Sequence, residues 1–238
     1  EVIRSQKNLK IVKQNQNFII TKAKFGPSLH TKISFKLNEE MAFFVASIMG
    51  DGHLRTKKLR ISIELSEKRL IEHIKQICNE LFDRNFNICK IKKREGKKQS
   101  WNINIDSKAI YCLLNQVFKI PIGKKSHLIR IPKIILKSND SIKSAFLIGL
   151  LLTEGGRRHG RNRYGLSTAS KGLWIDLIKI FLKLKIPLKI DKWYHKRYKK
   201  TYYGLSFKRD YFSFILGRCR SSQTGQILSE IFLKEGQA

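Results

Sequence analysis

The sequence is short of acidic residues. Its 238 residues contain 18 Asp and Glu against 49 Lys and Arg, a formal net charge of +31. Proline is scarce, with 4, and glycine is unremarkable at 15, so a collagen-like chain is excluded. Long hydrophobic runs are missing. The longest uncharged apolar stretches, such as Phe146–Leu152, fall far short of the roughly 20 residues that span a bilayer. The opening segment, EVIRSQKNLK, has no apolar core of the secretory kind, and the expectation is a soluble, intracellular protein without a membrane partner. Cysteine numbers four: Cys78, Cys89, Cys112 and Cys219. None forms a CxxC pair or stands near a histidine at zinc-finger spacing, so reduced thiols in or near a core are expected.

What is present supports a packed domain. Hydrophobic residues make up 42% and aromatics 10%, which excludes a disordered basic tail. A charge of +31 repels itself on compaction, and a polyanionic partner is the first explanation to test. Nucleic acid ranks ahead of an anionic membrane surface and of an acidic protein.

The chain also reads twice. Residues 41–52, MAFFVASIMGDG, align without a gap to residues 144–155, SAFLIGLLLTEG. Asp51 meets Glu154 and Gly52 meets Gly155, 103 residues apart. Each segment leads into a basic stretch, then an amphipathic helix at Glu67–Leu81 or Lys171–Leu184 with apolar residues three and four apart. Strand pairs follow, Ile88–Lys93 with Trp101–Ile105 and Ile190–Tyr198 with Tyr202–Phe207, and then closing helices at Ser107–Phe118 and Asp210–Leu216. The expected fold class is α+β, built from tandem αββαββα repeats with two antiparallel sheets. The expected division is an N-terminal basic extension at 1–37, a first half at 38–120, a linker at 121–140 broken by Pro121, Gly123 and Pro132, and a second half at 141–238.

The two motif helices carry small residues every fourth position, Ala42, Ala46 and Gly50 in one and Ala145, Gly149 and Thr153 in the other. That spacing puts them on one face and permits close packing. Asn38 is placed to cap the first helix, and Asn139, Asp140 or Ser141 the second. Asp51 and Glu154 then fall at helix C-termini, where partial negative charge disfavours an acid. Two such acids brought together need a raised pKa or a divalent cation. Gly52 and Gly155 are expected to allow a left-handed exit.

The repeated helix–acid–glycine motif, FFVASIMGDG at 43–52 and FLIGLLLTEG at 146–155, resembles that of the LAGLIDADG homing endonucleases. The order of the copies is similar to single-chain, two-motif members, especially the archaeal intron-encoded type, and IPKII at 131–135 resembles the family's lead-in. The resemblance implies a DNA-binding saddle of two sheets with the motif helices at the interface and pseudo-two-fold symmetry within a monomer. It implies a site-specific endonuclease that hydrolyses both strands of a long double-stranded DNA target with Mg²⁺ (or Mn²⁺) and leaves short 3′ overhangs. Asp51 and Glu154 would be catalytic and metal-binding, with the carbonyls of Gly50 and Thr153 as further ligands. Glu64, with Thr168 near the matching position, and Arg157, three residues after Glu154, would position water and phosphate. A non-catalytic RNA-binding splicing cofactor (a maturase) and a DNA-binding regulator are the competing classes on the same scaffold; neither needs two acids.

Basic clusters recur in both copies. Arg55, Lys57, Lys58 and Arg60 match Arg157, Arg158, Arg161 and Arg163; Lys92, Lys93, Arg94, Lys97 and Lys98 match Lys192, Lys196, Arg197, Lys199 and Lys200. These are candidate phosphate contacts, while Asn102, Asn104, Trp193, His195 and Arg197 are candidate base readers. His53 and His159, near the acids, are expected to face DNA rather than hold zinc.

Overall fold

The computed structural model describes residues 2–24, 29–56, 59–92, 95, 96, 98–157 and 162–219. Among them, three antiparallel sheets and seven α-helices form two similar halves plus an N-terminal sheet.

The first half opens with α1 (Glu39–Met49), capped by the Asn38 side chain, which accepts from the Met41 N–H at 3.0 Å. The chain then forms β4 (Gly52–Leu54), β5 (Arg60–Leu65), α2 (Lys68–Phe82), β6 (Ile88–Lys90), β7 (Trp101–Asp106) and α3 (Lys108–Cys112), with a π-helical turn at Leu113–Val117. The sheet order is β4-β5-β7-β6. The second half repeats this with α5 (Asp140–Glu154), β8 (Gly155–Arg157), β9 (Arg163–Thr168), α6 (Lys171–Lys183), β10 (Lys189–His195), β11 (Lys200–Lys208) and α7 (Asp210–Gly217), in the sheet order β10-β11-β9-β8. Asn139 is the residue that caps α5, accepting from Ile142 N–H at 3.0 Å.

Residues 9–34 contain β1 (Leu9–Gln14), β2 (Phe18–Ala23) and β3 (Thr31–Ser34), which pair in sequence order. Ile19 and Ile33 bury one side of this sheet against the first half, and Thr31 Oγ1 lies 3.3 Å from Ser107 Oγ.

Each sheet buries one face. Ile61, Ile63, Ile103 and Ile105 alternate inward in the first half, and Leu166, Leu205 and Phe207 do so in the second. Helices α2 and α6 cover these faces; the Phe181 and Phe207 rings lie 5.1 Å apart. Among the described residues, no helix covers the opposite faces.

Helices α1 and α5 are buried all round, from Met41 to Met49 and from Lys143 to Leu151, as befits helices between two halves. Their contact is the most extensive between any two elements described. The small-residue stripes meet there. A Cβ on Gly149 would stand 2.7 Å from the Phe43 carbonyl oxygen, and one on Gly50 would collide with Thr153. The stretch between the halves is ordered and packed. It contains α4 (Lys133–Leu136), buries Ile129, Ile131 and Ile135, and pairs Arg130 with Asp176 at 2.7 Å.

Candidate active site and nucleic-acid interface

The parallel packing of α1 and α5 brings their C-terminal ends together. Asp51 follows the Gly50 cap, and Glu154 is the last residue of α5. The glycines after the acids do not leave by the left-handed route. Gly155 is extended at φ −96°, and among the described residues only Gly96 and Gly123 are glycines with positive φ. Gly52 and Gly155 are required for space instead. A Cβ would stand 2.5 Å from Ile48 Cα in one case and 2.6 Å from the Leu151 carbonyl oxygen in the other. The chain folds back over the helix end so closely that only hydrogen fits.

The two acids feel each other. Asp51 and Glu154 keep solvent-exposed surface, yet the protein around each carboxyl penalises its charge. Burial pushes the Asp51 carboxyl up to about 6, with Glu154 and Glu64 adding to the rise and Lys125 opposing it. Glu154 is raised by burial, again against Lys125. Glu64 therefore belongs to the electrostatic surroundings of Asp51. It lies on the free face of β5, opposite Asn102, and accepts from Ser100 Oγ at 2.8 Å.

Lys125 is the candidate site residue that sequence reasoning missed. Its ammonium donates to the carbonyls of Ile48 at 2.5 Å, Gly50 at 2.6 Å and Gly52 at 2.5 Å. It thus caps α1 within the electrostatic reach of both acids, favourable for a cation at a helix C-terminus. Burial depresses its pKa to about 8, although Glu154 and Asp51 hold the proton on. Besides a raised pKa, the fold uses a further remedy for the clustered negative charge, an internal lysine. The loop is pinned by Gly123 N–H donating to the Leu54 carbonyl at 3.0 Å, which aims Lys125 into the site.

Strand register places the other candidates. Arg157 pairs with Tyr164, whose ring is buried, and lines a cavity with Gly155, Tyr164, Arg209 and Phe212. Glu154 lines a different cavity, with Lys125, Ser167, Thr168, Lys200 and Tyr202. The basic residue among the acids is thus Lys125, and Arg157 stands apart. Ser167, opposite Gly204, takes the register position that Glu64 holds opposite Asn102; Thr168 is one residue on, on the other face. The Gly50 carbonyl is already engaged by Lys125, and the Thr153 hydroxyl donates back to Gly149 O at 2.9 Å. Among the described residues no three His, Cys, Asp or Glu side chains gather into a metal cage.

The free face of the first sheet carries His53, Arg60, Ser62, Glu64, Asn102 and Asn104. Ser62 Oγ donates to Asn104 Oδ1 at 2.8 Å, and Arg60 makes a two-pronged pair with Asp106 at 2.7 and 2.8 Å. On the second sheet that face carries Arg163, Trp193 and His195. Arg163 is tied to Ser206, donating to its carbonyl at 2.8 Å. Lys192 and Tyr203 pair on the other side of the sheet, so Lys192 does not share a face with Trp193 and His195. β10 ends at His195, and Arg197 and Lys199 lie at the exposed tip beyond it. Arg55, Lys92 and Lys98 are exposed. Lys57, Lys58, Lys93, Arg94, Lys97, Arg158, His159 and Arg161 lie outside the described residues.

Known proteins share this architecture. Residues 141–230 match the family model of the LAGLIDADG-like domain. The Replication factor C small subunit of Methanocaldococcus jannaschii is 30% identical over 168 residues, covering 71% of this chain and 9% of the relative. The probable translation initiation factor IF-2 of the same organism is 29% identical over 224 residues, covering 87% of this chain and 18% of the relative. The chain therefore spans under a fifth of the length of these curated relatives. The homing endonuclease I-DmoI in complex with DNA and Mn superposes with a TM-score of 0.56 at 19% identity, covering 78% of this chain and 98% of that one. I-WcaI bound to its DNA recognition sequence gives 0.54 at 17%, covering 77% and 81%. Full-length DUF199/WhiA from Thermatoga maritima gives 0.52 at 13%, covering 83% and 61%. These likenesses establish the fold, and the side chains must supply the argument for activity.

Proposed function

We propose that this chain, a two-motif LAGLIDADG protein, is a site-specific endonuclease that lays its two free sheet faces along double-stranded DNA and cuts both strands. The observation that carries the reading is the electrostatic pairing of Asp51 with Glu154 at the ends of packed helices, with Lys125 acting on both, in a chain of charge +31. A protein that only bound nucleic acid would have no use for two acids held against their electrostatic preference.

The donor set fits a hard divalent ion. Mg²⁺ prefers oxygen ligands, keeps several waters and is commonly held by one or two carboxylates together with substrate phosphates. Asp51 and Glu154 would hold it, with the Gly50 and Thr153 carbonyls nearby. The bound ion would activate water and the scissile phosphate for hydrolysis. The homing endonuclease I-DmoI forms a complex with DNA and Mn, and a variant of it forms a complex with target DNA in the presence of Mg. Lys125 holds the Asp51 loop by three carbonyls and offsets negative charge as the phosphate backbone approaches. Glu64, whose charge reaches Asp51, would orient a water or phosphate there. The lysines and arginines around the free faces would neutralise backbone phosphates, giving salt-dependent affinity. One chain carries both halves, so one molecule serves one target, and short 3′ overhangs are the expected product.

The test is selection of cleaved molecules from a random duplex library in Mg²⁺. A single enriched long target supports the reading. Binding of RNA without cleavage of any duplex would favour the splicing-cofactor alternative.

A further inference from the structure

We infer that the second half reads thymine methyl groups on the half-site beneath it, through an apolar platform of Trp193 and Tyr202, whereas the first half reads its half-site by hydrogen bonding. The inference rests on the reading that the free sheet faces track DNA.

The platform is built into the strands. Trp193 and Tyr202 are directly paired across β10 and β11, and their rings stack at 6.0 Å with an interplanar angle of 16°. Both lie on the face opposite Tyr203, which packs on Trp174 of α6, so they belong to the free face. Gly204 makes the arrangement possible. A Cβ there would stand 2.8 Å from Trp193 Cζ3, so any other residue would lift the indole off the sheet. His195 continues the surface, its ring edge-on to Tyr202 at 6.1 Å. Trp193 is 37% exposed, a large apolar ring open on the sheet face that also carries Lys189 and Lys200.

Among the described residues the first half has no such platform. Asn102 occupies the place of Gly204, and Cys89 that of Asp191. Two residues on, Ile91 and Ser100 stand where Trp193 and Tyr202 stand, and the Ile91 N–H donates to the Ser100 carbonyl at 3.0 Å. That face is instead polar, with Ser62 bonded to Asn104, Ser100 bonded to Glu64, and the buried Asn102 Oδ1 without a partner.

The two chemistries select different base edges. In the major groove only thymine offers an apolar group, its 5-methyl, while hydrogen-bonding side chains read donors and acceptors. The Trp193 ring lies against Gly204 with the Tyr202 ring nearly parallel to it, and the two offer a largely carbon surface to the base edges. Rings 6.0 Å apart span about two base steps at 3.4 Å each. The second half-site should therefore contain two neighbouring thymines.

The experiment begins with the duplex selected by the intact protein and remakes it with deoxyuridine for thymidine in one half-site or the other. Deoxyuridine keeps every hydrogen-bonding atom and loses only the methyl. Orientation is fixed by an affinity-cleavage label on exposed Cys89, the other three cysteines being buried. Affinity should fall about fourfold per contacted methyl, so about fifteenfold for two, under the second half, and hardly at all under the first. Trp193→Ala should bind the thymidine and deoxyuridine duplexes alike, and Trp193→Phe should keep part of the difference. Three results would overturn the inference: indifference to deoxyuridine under the second half, a difference that survives in Trp193→Ala, or a selected half-site without thymine. Failure to select any duplex would overturn the DNA reading itself and this inference with it. Cleavage of a target indifferent to deoxyuridine would overturn the inference alone.

Discussion

The Lys125 ammonium donates to the Gly50 carbonyl at 2.6 Å, joining the segment between the halves to the end of the first motif helix. The same ammonium holds Ile48 and Gly52, so one side chain organises the backbone on both sides of Asp51.

Lys125→Met should remove that clamp while keeping the volume of the stem. Three carbonyls would lose a charged donor, at a cost of about 1–3 kcal/mol in chemical denaturation. Cleavage of the selected target should fall at least a hundredfold with duplex affinity within a few-fold, measured by gel assay and titration. Unchanged cleavage would show that the lysine serves stability alone.

Asp51 carries an electrostatic cost in the folded state. Its pKa rises from 3.8 unfolded to about 6 folded, so the folded state holds the proton more tightly. The stability that goes with it is fully present below pH 4 and lost as pH rises through 6. Asp51→Asn should therefore raise Tm at pH 7.5 without divalent ions, by roughly 2–4 °C for each kcal/mol regained, and should gain little at pH 4. A lower Tm at pH 7.5 would contradict the electrostatic account.

His73 works in the opposite sense. It is buried beside Phe43, neither ring nitrogen has a partner, and burial lowers its pKa from 6.5 to about 4. The unfolded chain takes up the proton first, so stability drains away as pH falls from 6.5 toward 4, by roughly 3 kcal/mol. His73→Leu should flatten that part of the urea-stability profile. A profile that keeps its slope would place the acid sensitivity elsewhere.

Gly149→Val should damage the interface between the halves. Even a Cβ would meet the Phe43 carbonyl oxygen at 2.7 Å and Ala46 Cβ at 3.0 Å. Overpacking of this kind costs about 1–3 kcal/mol. It should also part the two acids, so cleavage should fall more than binding of either half-site. Wild-type stability would mean that the helices have more room than their stripes imply.

The repeat was legible because its signals are local. Apolar periodicity, asparagine caps and the acid–glycine pairs 103 residues apart each survive without knowledge of the tertiary path. Lys125 was not legible, because its place depends on a turn at Gly123 anchored to Leu54, and a lysine in a basic linker carries no mark of its own. Ser167 and Thr168, or Gly156 and Arg157, differ by one residue, and one residue decides the face of a strand. The N-terminal sheet was missed for a related reason. Lysines interrupt its short strands, and only Ile19, Thr21, Thr31 and Ile33 alternate inward.

The most direct test sets wild type beside Asp51→Asn and Glu154→Gln on the selected duplex in Mg²⁺, with binding and cleavage of each strand followed together. Wild type should give a double-strand break. Each variant should keep duplex affinity within a few-fold, because the phosphate contacts lie elsewhere, and should make no double-strand break. Full cleavage by either variant would contradict the assignment of these two acids as the catalytic pair.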